Sequence, residues 1–309
     1  MIINTGQRTD IPGFYSQWLA NRLREGSVMV RNPYNPTAVT RYRLSPDVVD
    51  LIGFCTKNPA PMLDHMELLT PYRQYWYVTI TPYGHEIEPN TPDKGEVLRA
   101  FRELSEIVGA DNIGWRYDPI FIDERYTVQR HIRDFAFIAR SLKGFTHNVV
   151  ISFIDLYEKT KRNFPEVRAV SREDRHALGR ALVSLARACG MTVRPCGEGD
   201  ELAEYGADCS GCMTTAIYER AVGSRMRFPT YTPARESCAC YLACDIGAYN
   251  TCGHLCRYCY ANHDERAVRE NMKNHDPASP LLIGRPRPED VVRDARQASW
   301  IDPQLRMEF

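Results

Sequence analysis

The chain has 309 residues, 43% of them apolar and 25% charged, with 39 basic and 39 acidic side chains. That balance excludes a global field for nucleic acid or for an anionic membrane. No apolar run approaches the roughly 18 residues that cross a bilayer, and the length allows one large domain or two small ones around a real core.

Residues 1–12, MIINTGQRTDIP, lack the basic and apolar regions of a secretory signal. Eleven cysteines in such a chain fit a secreted disulfide scaffold poorly. A reducing, cytoplasmic location is the expectation, with no membrane partner and no sign of a nucleic-acid partner. In that setting clustered cysteines mean metal or redox chemistry.

In chain order, short apolar runs alternate with amphipathic stretches. Strands are expected at 1–5 (MIINT), 27–31 (SVMVR), 49–55 (VDLIGFC), 75–81 (YWYVTIT), 112–118 (NIGWRYD), 147–155 (HNVVISFID) and 191–196 (MTVRPC). Helices are expected at 13–26, 94–110 and 171–190; the last opens on a Ser171-x-x-Asp174 cap and closes on Gly190. This alternation implies an α/β fold with a mostly parallel sheet, and its closed form is a complete or partial (β/α) TIM-like barrel. A doubly wound open sheet is the alternative. No G-x-G-x-x-G follows the first strand, so a dinucleotide fingerprint is absent. The expected division is a barrel-like body over 1–195, a cysteine-rich cluster-binding segment over 196–285 docked on the barrel, and a tail over 286–309.

Polar residues recur where the expected strands end. They are Arg8 and Asp10; Thr56, Lys57 and Asn58; Thr79, Thr81 and Tyr83; Arg116 and Asp118; Ser152 and Asp155; and Arg194 and Cys196. In a barrel these ends share one face, where active sites are built. Asp10, Asn58 and Asp118 lie at or near turn prolines, where short polar residues serve the backbone. Their recurrence still makes Arg8, Asp10, Lys57, Asn58, Arg116 and Asp118 the candidates for positioning a substrate or cofactor.

Only Cys55 precedes the C-terminal stretch that holds the other cysteines. Cys252, Cys256 and Cys259 form C-x3-C-x2-C within the run CGHLCRYCYAN. Three soft thiolates in one short loop select an iron–sulfur cluster or zinc. Structural zinc takes four protein ligands, usually from separated C-x2-C knuckles. Three ligands on a four-iron cube leave one iron open to a substrate or cofactor. Of the remaining cysteines, Cys238 and Cys240 form C-x-C, Cys209 and Cys212 form C-x2-C, and Cys196 follows the last strand of the body. Four of these five are enough for a second centre, iron–sulfur or zinc. Cys55 and Cys189 read as small core residues.

With Tyr258 just before its last cysteine, the triad resembles the signature of radical S-adenosylmethionine enzymes. The resemblance implies a [4Fe–4S] cluster on Cys252, Cys256 and Cys259, with S-adenosylmethionine on the open iron. It implies one-electron cleavage to a 5′-deoxyadenosyl radical that takes a hydrogen atom from a substrate of unknown identity. An electron donor such as flavodoxin or ferredoxin is implied as well. Tyr258, Tyr260 and Asn262 then adjoin the cofactor, the tyrosines packing on adenine or shielding the cluster. In that family the loop follows the first barrel strand; here it follows the body, so it would dock on the same face from the other end of the chain. The stretches RTDIPGFYSQW, VRNPYNPTAVTRYRLSP, TKNPAPML, WRYDPI, DIGAYNTCGHLCRYCYAN and NHDPASPLLIG together resemble an uncharacterised bacterial family, domain of unknown function 1848. That family carries a C-terminal cysteine cluster similar to the radical motif, and the resemblance implies that Cys196, Cys212, Cys238 and Cys240 are its second set, with Cys209 and Cys244 as extras.

Other polar groups read more plainly. YEKTKR (157–162) is a basic run best read as a solvated helix face, and His254 in the cysteine loop is exposed by default. NHDPASPLLIG (274–284) is an ordered loop docked on the body. The rival readings are a non-enzymatic iron–sulfur redox or sensor protein and a zinc-stapled binding module.

Overall fold

The computed structural model describes residues 1–231, 238–242 and 244–302. Strands β1 (Ile2–Asn4), β4 (Leu51–Thr56), β5 (Gln74–Thr79), β6 (Ile113–Ile120), β7 (Asn148–Phe153) and β8 (Thr192–Pro195) form one six-stranded sheet in chain order. Every pairing in it is parallel, with Ile2 opposite Leu51, Trp76 opposite Ile113 and Val149 opposite Val193. Runs such as LIGFCT and QYWYVT are apolar on both faces because both faces are covered.

Alternation divides the side chains between two layers. Ile3, Ile52, Phe54, Trp76, Val78, Trp115 and Ile151 pack in a core with helices α2 (Ser16–Glu25), α5 (Lys94–Val108), α6 (Val128–Ser141) and α8 (Arg172–Ala188). Ile2, Leu51, Tyr75, Tyr77 and Val150 form a separate core with Met213, Cys240 and helix α9 (Thr215–Val222). The cysteine-rich segment thus supplies most of the layer on that face, with Trp300 and Ile301 packed against it. The helices begin where the caps demand: Asp93 accepts from Gly95 N at 2.7 Å, and Ser171 accepts from Asp174 N at 3.1 Å while bonding the Asp174 carboxylate.

Two expectations need correction. The run at 27–31 is a strand, but it does not join the main sheet. As β2 (Ser27–Arg31) it pairs antiparallel with β3 (Ala38–Arg43), and β9 (Val291–Asp294) adds in parallel to β3. Its side chains are half exposed apart from Val28, which suits a covering ribbon rather than a core strand. Of the complete or partial barrel expected, the complete form is not seen: among the described residues β1 and β8 are the two edges of the sheet and do not pair with each other. The edge at β1 is covered instead by the cysteine-rich segment. Asn4 N donates to Cys244 O at 3.1 Å and Ile246 N donates to Asn4 O at 2.9 Å.

The loop at 274–284 docks as expected. Trp18 Nε1 donates to Ser279 O at 2.9 Å and to Leu281 O at 3.1 Å, and Met29 N donates to Pro280 O at 2.9 Å.

One buried histidine fixes the C-terminal end of β6. His131 on α6 is fully buried, with Nδ1 2.8 Å from Tyr117 Oη and Nε2 2.8 Å from Phe121 O. The neutral ring with hydrogen on Nε2 satisfies both partners, donating to the carbonyl and accepting from the phenol. Burial lowers its pKa from the ordinary 6.5. Below that value the unfolded chain binds a proton that the folded ring refuses, so stability is full at neutral pH and declines as pH falls. Urea midpoints between pH 8 and pH 5 will show that decline. His131→Gln will be less stable at neutral pH and will show a shallower acid slope; an unchanged slope would contradict this assignment.

Candidate functional site

A cavity of about 380 Å³ opens at the C-terminal ends of the parallel strands. This is where an open or closed parallel sheet presents its loops to a ligand. The wall takes Gln7 and Asp10 from beyond β1, Lys57 from beyond β4, Arg116 and Asp118 from β6, and Phe153 from β7. The cysteine-rich segment supplies the facing wall, with Cys252, Cys256 and Cys259 on one part and Cys196, Cys212, Cys238 and Cys240 on another. Both sets expected from the sequence therefore face one space.

The loop at 252–259 is gripped from several sides. Asn90, from the connection between β5 and α5, donates Nδ2 to Gly253 O at 2.7 Å and its own N–H to His254 O at 3.2 Å. His254 is 2% exposed rather than open to solvent. Its Nε2 lies 2.8 Å from Asp10 Oδ2 and its Nδ1 lies 3.2 Å from Asn90 O. Asp10 also accepts from Gly13 N at 2.8 Å and Lys57 N at 2.7 Å, so one carboxylate joins two strand ends to the loop. Leu255 holds φ 55°, a left-handed conformation costing a β-carbon residue about 1–2 kcal/mol. Gly253 has no alternative, because a Cβ there would meet the Phe14 ring at 2.7 Å.

Within this loop the sulfurs receive backbone donors. Ala261 N lies 3.3 Å from Cys259 Sγ, and His254 and Asn262 give backbone N–H groups to Cys252 and Cys259. Such donors stabilise thiolate and tune a soft metal centre. Among the described residues the three cysteines make no sulfur–sulfur hydrogen bond with one another, although each lies within electrostatic reach of another. Burial raises the pKa of all three, and for Cys256 the Lys57 ammonium opposes the rise.

Glu88 is the polar hub beside them. It is 4% exposed, and Oε1 takes bonds from Lys57 Nζ at 2.9 Å, from Thr81 Oγ1 at 2.6 Å and from the Tyr258 hydroxyl. Burial opposes its charge, yet Lys57 and the two hydroxyls hold its pKa below the usual carboxylate value. Burial likewise opposes the Lys57 ammonium, but Glu88 and Cys256 raise its pKa overall.

The second set is more compact. Cys212 Sγ lies 3.5 Å from Cys196 Sγ and 3.2 Å from Cys240 Sγ, and Cys238 lies beside Cys240. Met213 N reaches Cys240 Sγ at 3.3 Å and Arg116 Nη1 reaches Cys212 Sγ at 3.6 Å. Arg116 is held in turn by Asp118, at 3.1 Å and 2.5 Å. Among the described residues no three His, Cys, Asp or Glu side chains are already set around one ion.

The structure gathers Asp10, Lys57, Arg116, Asp118, Tyr258 and Tyr260 at the cavity. Arg8, Asn58 and Asn262 do not line it. Arg8 pairs with Asp245 at 2.9 Å and so holds the segment beside β1. Asn58 Oδ1 caps the turn at Ala60 N, 3.3 Å away. Asn262 Nδ2 donates to Cys252 O at 2.8 Å, which braces the loop from behind. Cys189 is buried as expected, whereas Cys55 belongs to the cavity wall beneath Gly6. The basic run at 157–162 is more than a solvated face. Lys159 Nζ donates to Tyr260 O at 3.0 Å and Arg162 donates to His263 O, docking helix α7 (Glu158–Asn163) on the loop. Sequence reasoning missed Glu88 and Asn90. The signal available for Glu88 was an acid set directly between Ile87 and Pro89.

Removing one partner of a buried ion pair leaves the other charged and unpaired, at a cost of about 3–5 kcal/mol. Glu88→Gln will therefore destabilise the chain by about 3 kcal/mol, and Lys57→Met in the same chain will restore part of it. Urea unfolding of the two single variants and the double variant measures the coupling; additive losses would contradict the hub.

No curated protein and no solved structure matches the chain. The model of the family described as Domain of unknown function (DUF1848) matches residues 2–261, a stretch that contains both cysteine sets. The chain belongs to that family.

Proposed function

We propose that the protein is an iron–sulfur enzyme of radical S-adenosylmethionine type, with its substrate bound in the cavity at the strand ends. The reading takes the sheet as a partial (β/α) barrel whose open side is filled by α9 and the cysteine-rich segment. The observation that carries it is the placement of Cys252, Cys256 and Cys259, from one short loop, on the wall of that cavity. Their chemistry fits a cluster: three thiols from one loop, with backbone N–H donors aimed at Cys252 and Cys259. These three residues would hold a [4Fe–4S] cluster and leave one iron for S-adenosylmethionine. When bound, this pair supplies one-electron reductive cleavage of a sulfonium and, through it, hydrogen-atom abstraction.

The chain's own residues do the rest. Asp10, Asn90 and Asn262 hold the loop by His254, Gly253 and Cys252. Glu88 orients Tyr258 and Lys57 beside Cys256. Lys57 and Arg116 offer positive charge to an anionic part of a ligand, and Tyr260, whose hydroxyl donates to Gln7 O at 2.7 Å, covers the cavity edge. The surrounding apolar wall excludes water from the reaction. A small reductant such as flavodoxin or ferredoxin supplies the electron.

Anaerobically reconstituted protein is expected to be brown and to release 5′-deoxyadenosine from S-adenosylmethionine in the presence of dithionite. Cys256→Ser will abolish this product. A colourless protein, or a loaded one that yields no 5′-deoxyadenosine, would sink the proposal. Asp10→Asn keeps an acceptor for His254 but removes its charge, so it will lower the yield by about tenfold; an unchanged yield would show that the anchor is dispensable.

A further inference from the structure

The two cysteine sets differ in a way that the sequence could not show. Among the described residues the sulfurs of Cys252, Cys256 and Cys259 make no hydrogen bond with one another, whereas Cys212 Sγ lies 3.5 Å from Cys196 Sγ and 3.2 Å from Cys240 Sγ. A tetrahedral ion with metal–sulfur bonds of about 2.3 Å sets its sulfurs about 3.8 Å apart. The compact set needs to open by only a few tenths of an ångström to meet that spacing. A four-iron cube would need its thiolates much further apart.

From this contrast we infer that Cys196, Cys212, Cys238 and Cys240 bind a single tetrahedral metal ion of zinc type, separate from the centre proposed for the cysteine loop. The ligand count is four, as a closed structural zinc site requires. The surroundings fit as well. Met213 N donates to Cys240 Sγ at 3.3 Å and Arg116 Nη1 to Cys212 Sγ at 3.6 Å, while Asp118 orients Arg116 from behind. Outer-shell donors of this kind fix thiolate ligands.

The ligands come from three places along the chain. Cys196 follows β8, Cys212 precedes α9, and Cys238 with Cys240 precede the segment that pairs with β1. One ion would therefore clip the last strand of the main sheet, the helix that packs on its second face and the chain leading to the cysteine loop. Closing segments this far apart in sequence removes loop entropy from the unfolded chain.

The test uses the full chain, stripped of metal and reduced under anaerobic conditions, titrated with Co²⁺. One equivalent is expected to give the intense visible absorption of tetrahedral cobalt–thiolate, and Zn²⁺ is expected to displace it. The variant Cys252→Ser/Cys256→Ser/Cys259→Ser will keep that band, and Cys212→Ser and Cys196→Ser will lose it. The triple variant keeps the test decisive even where a single ligand variant fails to fold. The proposal is overturned if no such band forms, if the triple variant loses it, or if mass analysis finds Cys212 joined to Cys240 as a disulfide in the reduced protein. Because the cobalt band and 5′-deoxyadenosine depend on different cysteines, this inference and the proposed function fail separately.

Discussion

A loop carried late in the chain can serve a cavity built from earlier strands only if buried polar groups hold it there. Asp10 is the central one. Its carboxylate joins the end of β1, the end of β4 and His254 of the cysteine loop in a single hydrogen-bonded node. Asn90 grips the same loop from the β5 connection, and Glu88 fixes its Tyr258. Each of these groups is expensive to bury alone, and each makes part of its hydrogen bonding to the docked loop. The docked state is therefore specified by polar complementarity, and the apolar core behind it supplies stability.

The rest of the architecture follows from that docking. Helices α2, α5, α6 and α8 pack on one face of the parallel sheet, and α9 with the cysteine-rich segment packs on the other. Tyr75 and Tyr77, rather than aliphatic residues, turn toward that segment, and the Tyr77 hydroxyl bonds Cys212 O. Large rings with a polar tip suit a layer whose backbone is irregular and needs donors. Arg116 sits where the two halves of the site meet. It stacks over Tyr77 at 5.4 Å, pairs with Asp118 and reaches Cys212.

Much of the body was legible in the sequence because parallel strands buried on both faces leave unbroken apolar runs, as LIGFCT and QYWYVT do. Helix α8 was legible from its Ser171 cap. SVMVR was legible as a strand but not as part of a second sheet, since its partner β3 was not read as a strand and β9, which pairs with β3, lies far along the chain. Helix α6 was missed because His131 interrupts its apolar stripe, although that histidine is fully buried. At the site, cysteine spacing pointed to Cys252, Cys256 and Cys259, the family resemblance implied the second four, and polar strand ends pointed to Asp10, Lys57, Arg116 and Asp118. Glu88, Asn90 and the burial of His254 were not legible, because the contacts that tie them to or within the cysteine loop span more than a hundred and fifty residues. Nor does spacing show that the sulfurs of Cys196, Cys212 and Cys240 come into contact, which is a property of the folded backbone.

The central claim is a cluster held by three cysteines and open at its fourth iron. Electron paramagnetic resonance of the dithionite-reduced protein, with and without S-adenosylmethionine, tests it most directly. The account predicts a reduced four-iron signal that changes shape when the cofactor is added. A signal indifferent to the cofactor, or none from an iron-loaded sample, would contradict it.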